Sequence, residues 1–245
     1  MVDSLGDRMK AYERCSSITL LPNTPIIIRV DGKAFHTFTK KMGFKRPFDL
    51  QYINCMKWAA MRTGSKMQNF RAAYVQSDEV TFLLHSDNPV AEPWFGGKVQ
   101  KLTSISATIM SIEFNILVGN VRGDHDLYPA SMGHDFEPAI FDSRAFNVTE
   151  NDIPNVFLWR MKDWRRNSVQ MFARSHMSHK ELHGKSNGWI LQHLKEQGKD
   201  WNCLEPRLKN GTVLIRTEHD IVEVTDFEPT YLDVKNLFQA HGIIK

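Results

Sequence analysis

Two short apolar runs, "FRAAYV" and "VTFLL", are separated only by Gln76–Glu79. Spacing that tight predicts a β-hairpin with a polar tip, although no Asn-Gly turn pair stands there. Upstream, "PIIIRV" is the β-branched run expected of a central strand buried on both faces. From Asp49, Leu50, Ile53, Met56 and Ala60 recur at helical spacing until Gly64 closes the helix. Beyond the hairpin, Leu102, Ile105, Ile109, Ile112 and Ile116 repeat three or four apart, and "AIFDSRAFNV" (139–148) reads as a fourth strand. The order β-α-β-β-α-β predicts an α+β fold of the ferredoxin-like, split βαβ type.

The flanks are less constrained. Ser4 is placed to cap a helix over 4–15. After Pro154 the chain turns helical and basic in "FLWRMKDWRRNSVQMFAR" and "NGWILQHLKEQ", followed by a hairpin from "GTVLIR" and "IVEV" and a closing helix at "TYLDVKNLF". A boundary near Asn151–Pro154 separates 1–150 from a C-terminal part, 151–245. Between Arg160 and Lys209 eleven Lys/Arg stand against five Asp/Glu, a net +6, while the rest of the chain carries −3. A basic segment on a near-neutral body could be a footprint for a polyanion, although solvated helix faces give the same count.

The opening "MVDSLGDRMK" lacks the apolar core of a signal peptide, and no run approaches the roughly 18 apolar residues of a membrane span. Cys15, Cys55 and Cys203 form no CxxC pair, which suits a reducing cytoplasm.

Two charged interruptions carry the chemistry. The first strand ends on Asp31-Gly32, and the hairpin tip holds Ser77-Asp78-Glu79. In this topology the strand and the hairpin are sheet neighbours, so Asp31 and Asp78 share one edge. Two carboxylates that close repel unless a cation separates them. Magnesium takes hard oxygen ligands, usually one or two carboxylates plus substrate phosphates, and a pair of such ions suits phosphoryl transfer. Gly32 allows a sharp turn with its carbonyl free for metal, and Lys33 and His36 follow it toward an anion. Each motif alone also reads as a strand-ending turn or a solvated tip; their convergence favours metal.

The sequence resembles the tRNA-His guanylyltransferases and their like-protein branch, enzymes that add nucleotides in the 3′–5′ direction. The resemblance rests on "RVDGKAFHTF" (29–38), "FKRPFD" (44–49) and "AYVQSDEVTFLL" (73–84), and continues in "WFGGKVQK" (94–101), "FDSRAF" (141–146) and "KNGTVLI" (209–215). It implies a palm-like catalytic domain over 1–150, two Mg2+ ions on Asp31, Gly32 and Asp78, and Glu79 beside them. It also implies a nucleotide site formed by Lys33, Ala34, Phe35, His36, Ser77 and Asp49. Either Lys45 or Arg46 supplies the family's basic residue at that place, and Lys98 and Lys101 contact phosphates. ATP and GTP or another nucleoside triphosphate would be substrates, tRNA the partner, and a homotetramer the assembly. Where eukaryotic members carry a His-Ile-Asn-Asn-Leu-Tyr-Asn element this chain has "RRNSVQM" (165–171), which favours the repair-type branch. Arg165, Arg166 and Asn167 remain candidate RNA contacts.

Other signals carry less. "HGKS" (183–186) suggests a phosphate loop, but His179 stands where the loop's first glycine belongs. His176, His179 and His183 share a helical face and could bind zinc, although solvated or phosphate-facing histidines in a basic segment are the better account. Trp159, Trp164, Trp189 and Trp201 could stack on bases, with core packing the better account of most. A diguanylate-type cyclase shares the palm-like fold, but "VQSDEV" lacks its Gly-Gly and Phe. A non-enzymatic RNA-binding module would need no paired carboxylates.

Overall fold

The computed structural model describes residues 4–88, 90–122 and 137–245. Its frame is a six-stranded antiparallel sheet. The strands are β1 (Ile26–Gly32), β2 (Phe70–Gln76), β3 (Glu79–Leu84), β4 (Phe141–Asn147), β5 (Thr212–Arg216) and β6 (Ile221–Val224), in the spatial order β4-β1-β3-β2-β5-β6. The first four follow the expected ferredoxin-like order. The C-terminal part adds β5 and β6 beside β2, so the change of sequence character near residue 150 is no break in the sheet.

Strand alternation assigns the two faces. Ile26, Ile28, Val30, Ala73, Val75, Phe82 and Leu84 point to one layer. There α3 (Leu50–Ser65) and α4 (Val99–Arg122) supply Met56, Ala59, Ala60, Leu102, Met110, Phe114 and Val118. Ile27, Ala72, Tyr74, Leu83, Val213 and Ile215 point to the other layer, against α5 (Ile153–Arg174) and α9 (Tyr231–Ala240). Burying each such large apolar side chain stabilises the fold by about 1.5–3 kcal/mol, so both faces of β1 contribute, as its unbroken β-branched run predicts. A third cluster joins the end of α5 to α7 (Asn187–Glu196) through Val169, Phe172, Ile190, Leu194 and Trp201.

Ser4 caps α1 (Leu5–Arg14), and Asp49 caps α3 by accepting from the amides of Gln51 and Tyr52. The hairpin turn is tighter than expected, because Gln76 and Glu79 still pair and only Ser77 and Asp78 form the tip. Ser77 there adopts φ 45°, in place of the missing Asn-Gly. The short helices α2 (Phe35–Lys41), α6 (His179–Leu182) and α8 (Pro206–Asn210) complete the α-helices among the described residues.

Two expectations for α4 need correction. Its buried stripe is Leu102, Ser106, Met110, Glu113, Phe114 and Val118, whereas Ile105 and Ile112 are exposed. The isoleucines repeat at helical spacing, but Met110 and Phe114 fill the space over the sheet and rotate Ile105 and Ile112 outward. Val99–Val121 also has the length and hydropathy to cross a bilayer, contrary to the expectation that no segment approaches this. It packs instead on the sheet, with Ser106 bonded to Ser143 at 2.8 Å and buried Glu113 paired to Arg62 and Lys66.

Candidate active site

The β-ladder itself builds the acidic centre. Asp31 lies in register with Glu79 of β3 on one side and with Asp142 of β4 on the other. Directly paired residues project from the same face, so three carboxylates share the face that α5 covers. The amide of Gly32 donates to the Asp78 carbonyl at 3.0 Å, which fixes the end of β1 against the hairpin tip. Burial raises the Asp31 carboxyl above its usual range, and Glu79 and Asp142 add to the effect against Arg144 and Arg29. Burial likewise pushes Asp78 up to about 6, opposed by the Ser77 hydroxyl and its own amide and reinforced by Asp31 and Glu79.

Phe35 explains the geometry of "DGKAF". Its ring packs against Phe38, Phe114 and Phe141 at centroid distances of 4.8–5.5 Å. A Cβ on Gly32 would lie 2.2 Å from that ring, so only glycine fits beneath it. Ala34 takes φ 54° to start α2, and the Lys33 amide donates to Ile140 at 2.8 Å. Phe35 is therefore mainly an anchor of the loop, while Lys33 and His36 remain exposed.

Two cavities meet at this edge. An aromatic pocket of about 400 Å³ runs between α2, α3 and the C-terminal part, lined among others by His36, Phe44, Lys45, Tyr52, Met56 and Thr212. An acidic cleft of about 440 Å³ lies between the sheet edge and α5, lined by Asp31, Asp78, Glu79, Arg160, Asp163 and Asn167 among others. Lys45 and Arg46 both line the aromatic pocket, and Arg46 donates to His36 Nε2 at 3.3 Å. The Asp49 carboxylate is fully engaged: besides capping α3 it accepts from the Lys45 amide at 2.8 Å. It shapes the pocket wall rather than offering a free acceptor.

Several expected residues are placed elsewhere or are already paired. Glu79 binds Arg160 through both oxygens, at 2.6 and 2.7 Å, and also accepts from Gln76. Lys98 and Lys101 sit at the start of α4 and line neither cavity; Lys101 lies over the Phe95 ring. Arg165 points to Glu228 and Trp201 instead of the cleft, and Arg166 pairs with Asp163. Asn167 does line the cleft, beside Asp163. The face of α5 that meets the site is Arg160, Asp163, Trp164, Asn167, Gln170, Met171 and Arg174, a three-four repeat anchored on Arg160. Sequence reasoning missed Asp142, Arg160 and Arg174; Asp142 stood within "FDSRAF", and helical phasing from Asn167 reaches the other two.

The remaining signals resolve simply. Trp164 and Trp201 are core, whereas Trp159 and Trp189 are about half exposed. His176 packs edge-on to Phe172. Among the described residues no group of three His, Cys, Asp or Glu side chains could hold a metal ion by itself, which removes the zinc reading. A hard cation sharing its shell with phosphate needs fewer protein ligands. Asp31 and Asp78 offer that oxygen chemistry, and both are destabilised as bare anions. The nearby Gln76 Oε1 is buried without a protein partner. The donor set fits magnesium with a nucleotide.

Residues 6–149 match the family described as tRNAHis guanylyltransferase (Thg1). The chain is 45% identical over 170 residues to the tRNA(His) guanylyltransferase of Schizosaccharomyces pombe, covering 69% of this chain and 59% of that protein. It thus spans about three fifths of that relative's length. Among solved structures, a bacterial tRNA(His) guanylyltransferase (Thg1)-like protein in complex with ATP superposes with TM-score 0.86 at 30% identity, covering 97% of this chain and 99% of that one. The corresponding bacterial protein in complex with GTP gives TM-score 0.80 at 27% identity, covering 97% and 98%. With the ferredoxin-like order, the shared-edge carboxylates and near-complete superposition in hand, the chain belongs to the tRNAHis guanylyltransferase family of nucleotidyltransferases.

Proposed function

We propose that this protein adds nucleotides to the 5′ end of tRNA in the 3′–5′ direction. The observation that carries the reading is the ladder that sets Asp31 beside the Asp78 tip, at the mouth of a nucleotide-sized pocket. ATP is the activating nucleotide: an oxygen of the RNA 5′-monophosphate attacks its α-phosphorus and pyrophosphate leaves. The 3′-hydroxyl of the incoming nucleotide, GTP among others, then attacks the activated 5′ phosphorus and releases AMP. The ATP and GTP complexes of the bacterial relatives support both substrates.

Two Mg2+ ions, when bound, would neutralise phosphate charge and acidify the attacking hydroxyl. Asp31, Asp78 and the Gly32 carbonyl are the residues that would hold them. Glu79 fixes the tip through Arg160. Lys33, His36, Lys45 and Arg46 ring the nucleotide, with Ala34, Phe35, Ser77 and Asp49 shaping its seat. Lys98 and Lys101, on the separate α4 surface, would meet a second nucleotide or the RNA. Asn167 and Arg166 give α5 its RNA-facing character, while Arg165, tied to Glu228 and Trp201, buttresses that face. Most of the rate comes from alignment and charge placement rather than from a covalent protein nucleophile.

A homotetramer is the proposed assembly. Supporting it, α1 has no buried residue and leaves Leu5, Met9 and Tyr12 exposed, near the equally exposed positions Ile18 and Leu21 in sequence. The three cysteines are free, in keeping with a cytoplasmic setting.

The test is incubation of labelled full-length tRNA-His and of a 5′-truncated tRNA with each nucleotide and magnesium. Extension of the truncated RNA opposite its 3′ strand assigns repair; a single G on tRNA-His assigns guanylyl transfer. A protein that extends neither but still binds RNA would be the binding module instead.

A further inference from the structure

The aromatic pocket and the acidic cleft share six residues: Gln76, Ser77, Asp78, Trp164, Met171 and Arg174. These form a neck through which any ligand spanning both spaces must pass. Arg174 is its only cation, carried on the last turn of α5 and exposed to the cavities. Of the other basic groups lining the pocket, two are occupied, and Lys45 lies outside the neck. Arg207 is held by Glu205 at 2.7 Å, and Arg46 donates to His36. Across the cleft Arg160 is held by Glu79. Arg174 has no salt bridge or side-chain hydrogen bond among the described residues.

Two more polar atoms of the neck lack protein partners. Trp164 Nε1, a donor, and Gln76 Oε1, an acceptor, are both buried and unpaired. Buried polar groups are normally satisfied, and exceptions gather where a ligand completes them. A neck with an unpaired guanidinium and an unpaired indole N–H asks for an oxygen-rich anion. The adjacent carboxylates make an uncompensated anion unwelcome, so the fitting species has one end in the aromatic pocket and arrives with its own cation.

We propose that Arg174 grips the polyphosphate of the nucleotide seated in the aromatic pocket, where that pocket opens onto Asp31 and Asp78. This rests on the nucleotide reading above and adds a residue to it. Arginine suits the task because its planar fork meets two phosphate oxygens at once, which lysine cannot reproduce. A residue arriving from the C-terminal part also makes the phosphate seat a joint product of both parts of the chain.

The experiment is titration of the full chain with ATP and with adenosine, in magnesium chloride, for the wild type, Arg174→Ala and Arg174→Lys. Arg174→Ala should weaken ATP roughly 10- to 100-fold, the loss expected for a charge-assisted bond, and leave adenosine within about 2-fold of wild type. Arg174→Lys should recover only part of the loss. Unchanged ATP affinity, or equal loss for adenosine, overturns the proposal, with unchanged melting temperature confirming that the variants fold. A second arm compares 5′-phosphorylated with 5′-hydroxyl RNA: a discrimination preserved in Arg174→Ala supports the nucleotide assignment. Its loss with ATP binding intact moves Arg174 to the RNA end and overturns it. Failure of the wild type to bind ATP at all would sink the nucleotide reading itself, a result distinct from either.

Discussion

Glu79 grasps Arg160 with both carboxylate oxygens, at 2.6 and 2.7 Å, and both side chains are about nine-tenths buried. The pair ties the β2–β3 hairpin to α5, and so holds one wall of the cleft against the other. Removing one member leaves the other buried charge with only its weaker ion pair, Asp163 at 3.1 Å for Arg160 or Arg29 at 3.9 Å for Glu79. Glu79→Gln or Arg160→Met should each lower unfolding free energy by about 3 kcal/mol, and the double variant should lose less than the sum. Urea denaturation of the four proteins measures the cycle; additive losses would mean the pair is not coupled.

Asp78 gives the protein a pH signature. Its carboxyl titrates near 6 in the fold and near 3.8 when unfolded, so between those values the native state holds more protons than the unfolded chain. Stability of the metal-free protein should therefore fall as pH rises through that window, by roughly 3 kcal/mol in all. Asp78→Asn should flatten the profile and raise the melting temperature at pH 8, while abolishing nucleotide addition. A variant with wild-type pH dependence would show that the strain lies elsewhere.

Gly32 is predicted to tolerate no side chain. A Cβ there meets the Phe35 ring at 2.2 Å, and Phe35 is wedged among three other phenylalanines. Gly32→Ala should cost about 1–3 kcal/mol and reduce activity by more than the stability change explains, because the loop bearing Lys33 and His36 must shift. Thermal melts and turnover on one sample decide it; wild-type activity would mean the ring yields without moving the loop.

Arg165 and Arg166 should separate by readout. Arg166 is two-thirds exposed, so Arg166→Gln should reduce tRNA affinity and lower the salt slope by about one. Arg165 is tied to Glu228 and Trp201, and Arg165→Gln should appear chiefly in thermal stability. Binding isotherms at several salt concentrations, beside melting curves, check both.

Changing Leu5, Met9 and Tyr12 together to serine should shrink the assembly without altering the melting temperature of the monomeric unit. Each is exposed on a helix that buries nothing. Sedimentation velocity reads the outcome, and an unchanged mass would place the interface elsewhere.

The central topology was legible because strand runs and helical spacing obey strong geometric rules, and the pairing of Asp31 with the hairpin follows from topology alone. Orientation around a helix was less legible. The isoleucines of α4 repeat at helical spacing and the arginines at 165 and 166 are adjacent in a helical run, but neither pattern says which residues face the body. Met110 and Phe114 settled the first by volume; Arg160 and Asp163 settled the second by charge. Asp49 shows a different limit: the same carboxylate suits a ligand or a helix cap, and only the loop's path made it a cap.

Because Asp31 faces Glu79 and Asp142 through strand pairing, slippage of either neighbour by a single position would turn those side chains to the opposite surface. Partial competence is then not available to a mispaired molecule. During refolding, turnover should return in step with the last correctly zipped ladder, as a switch rather than a ramp.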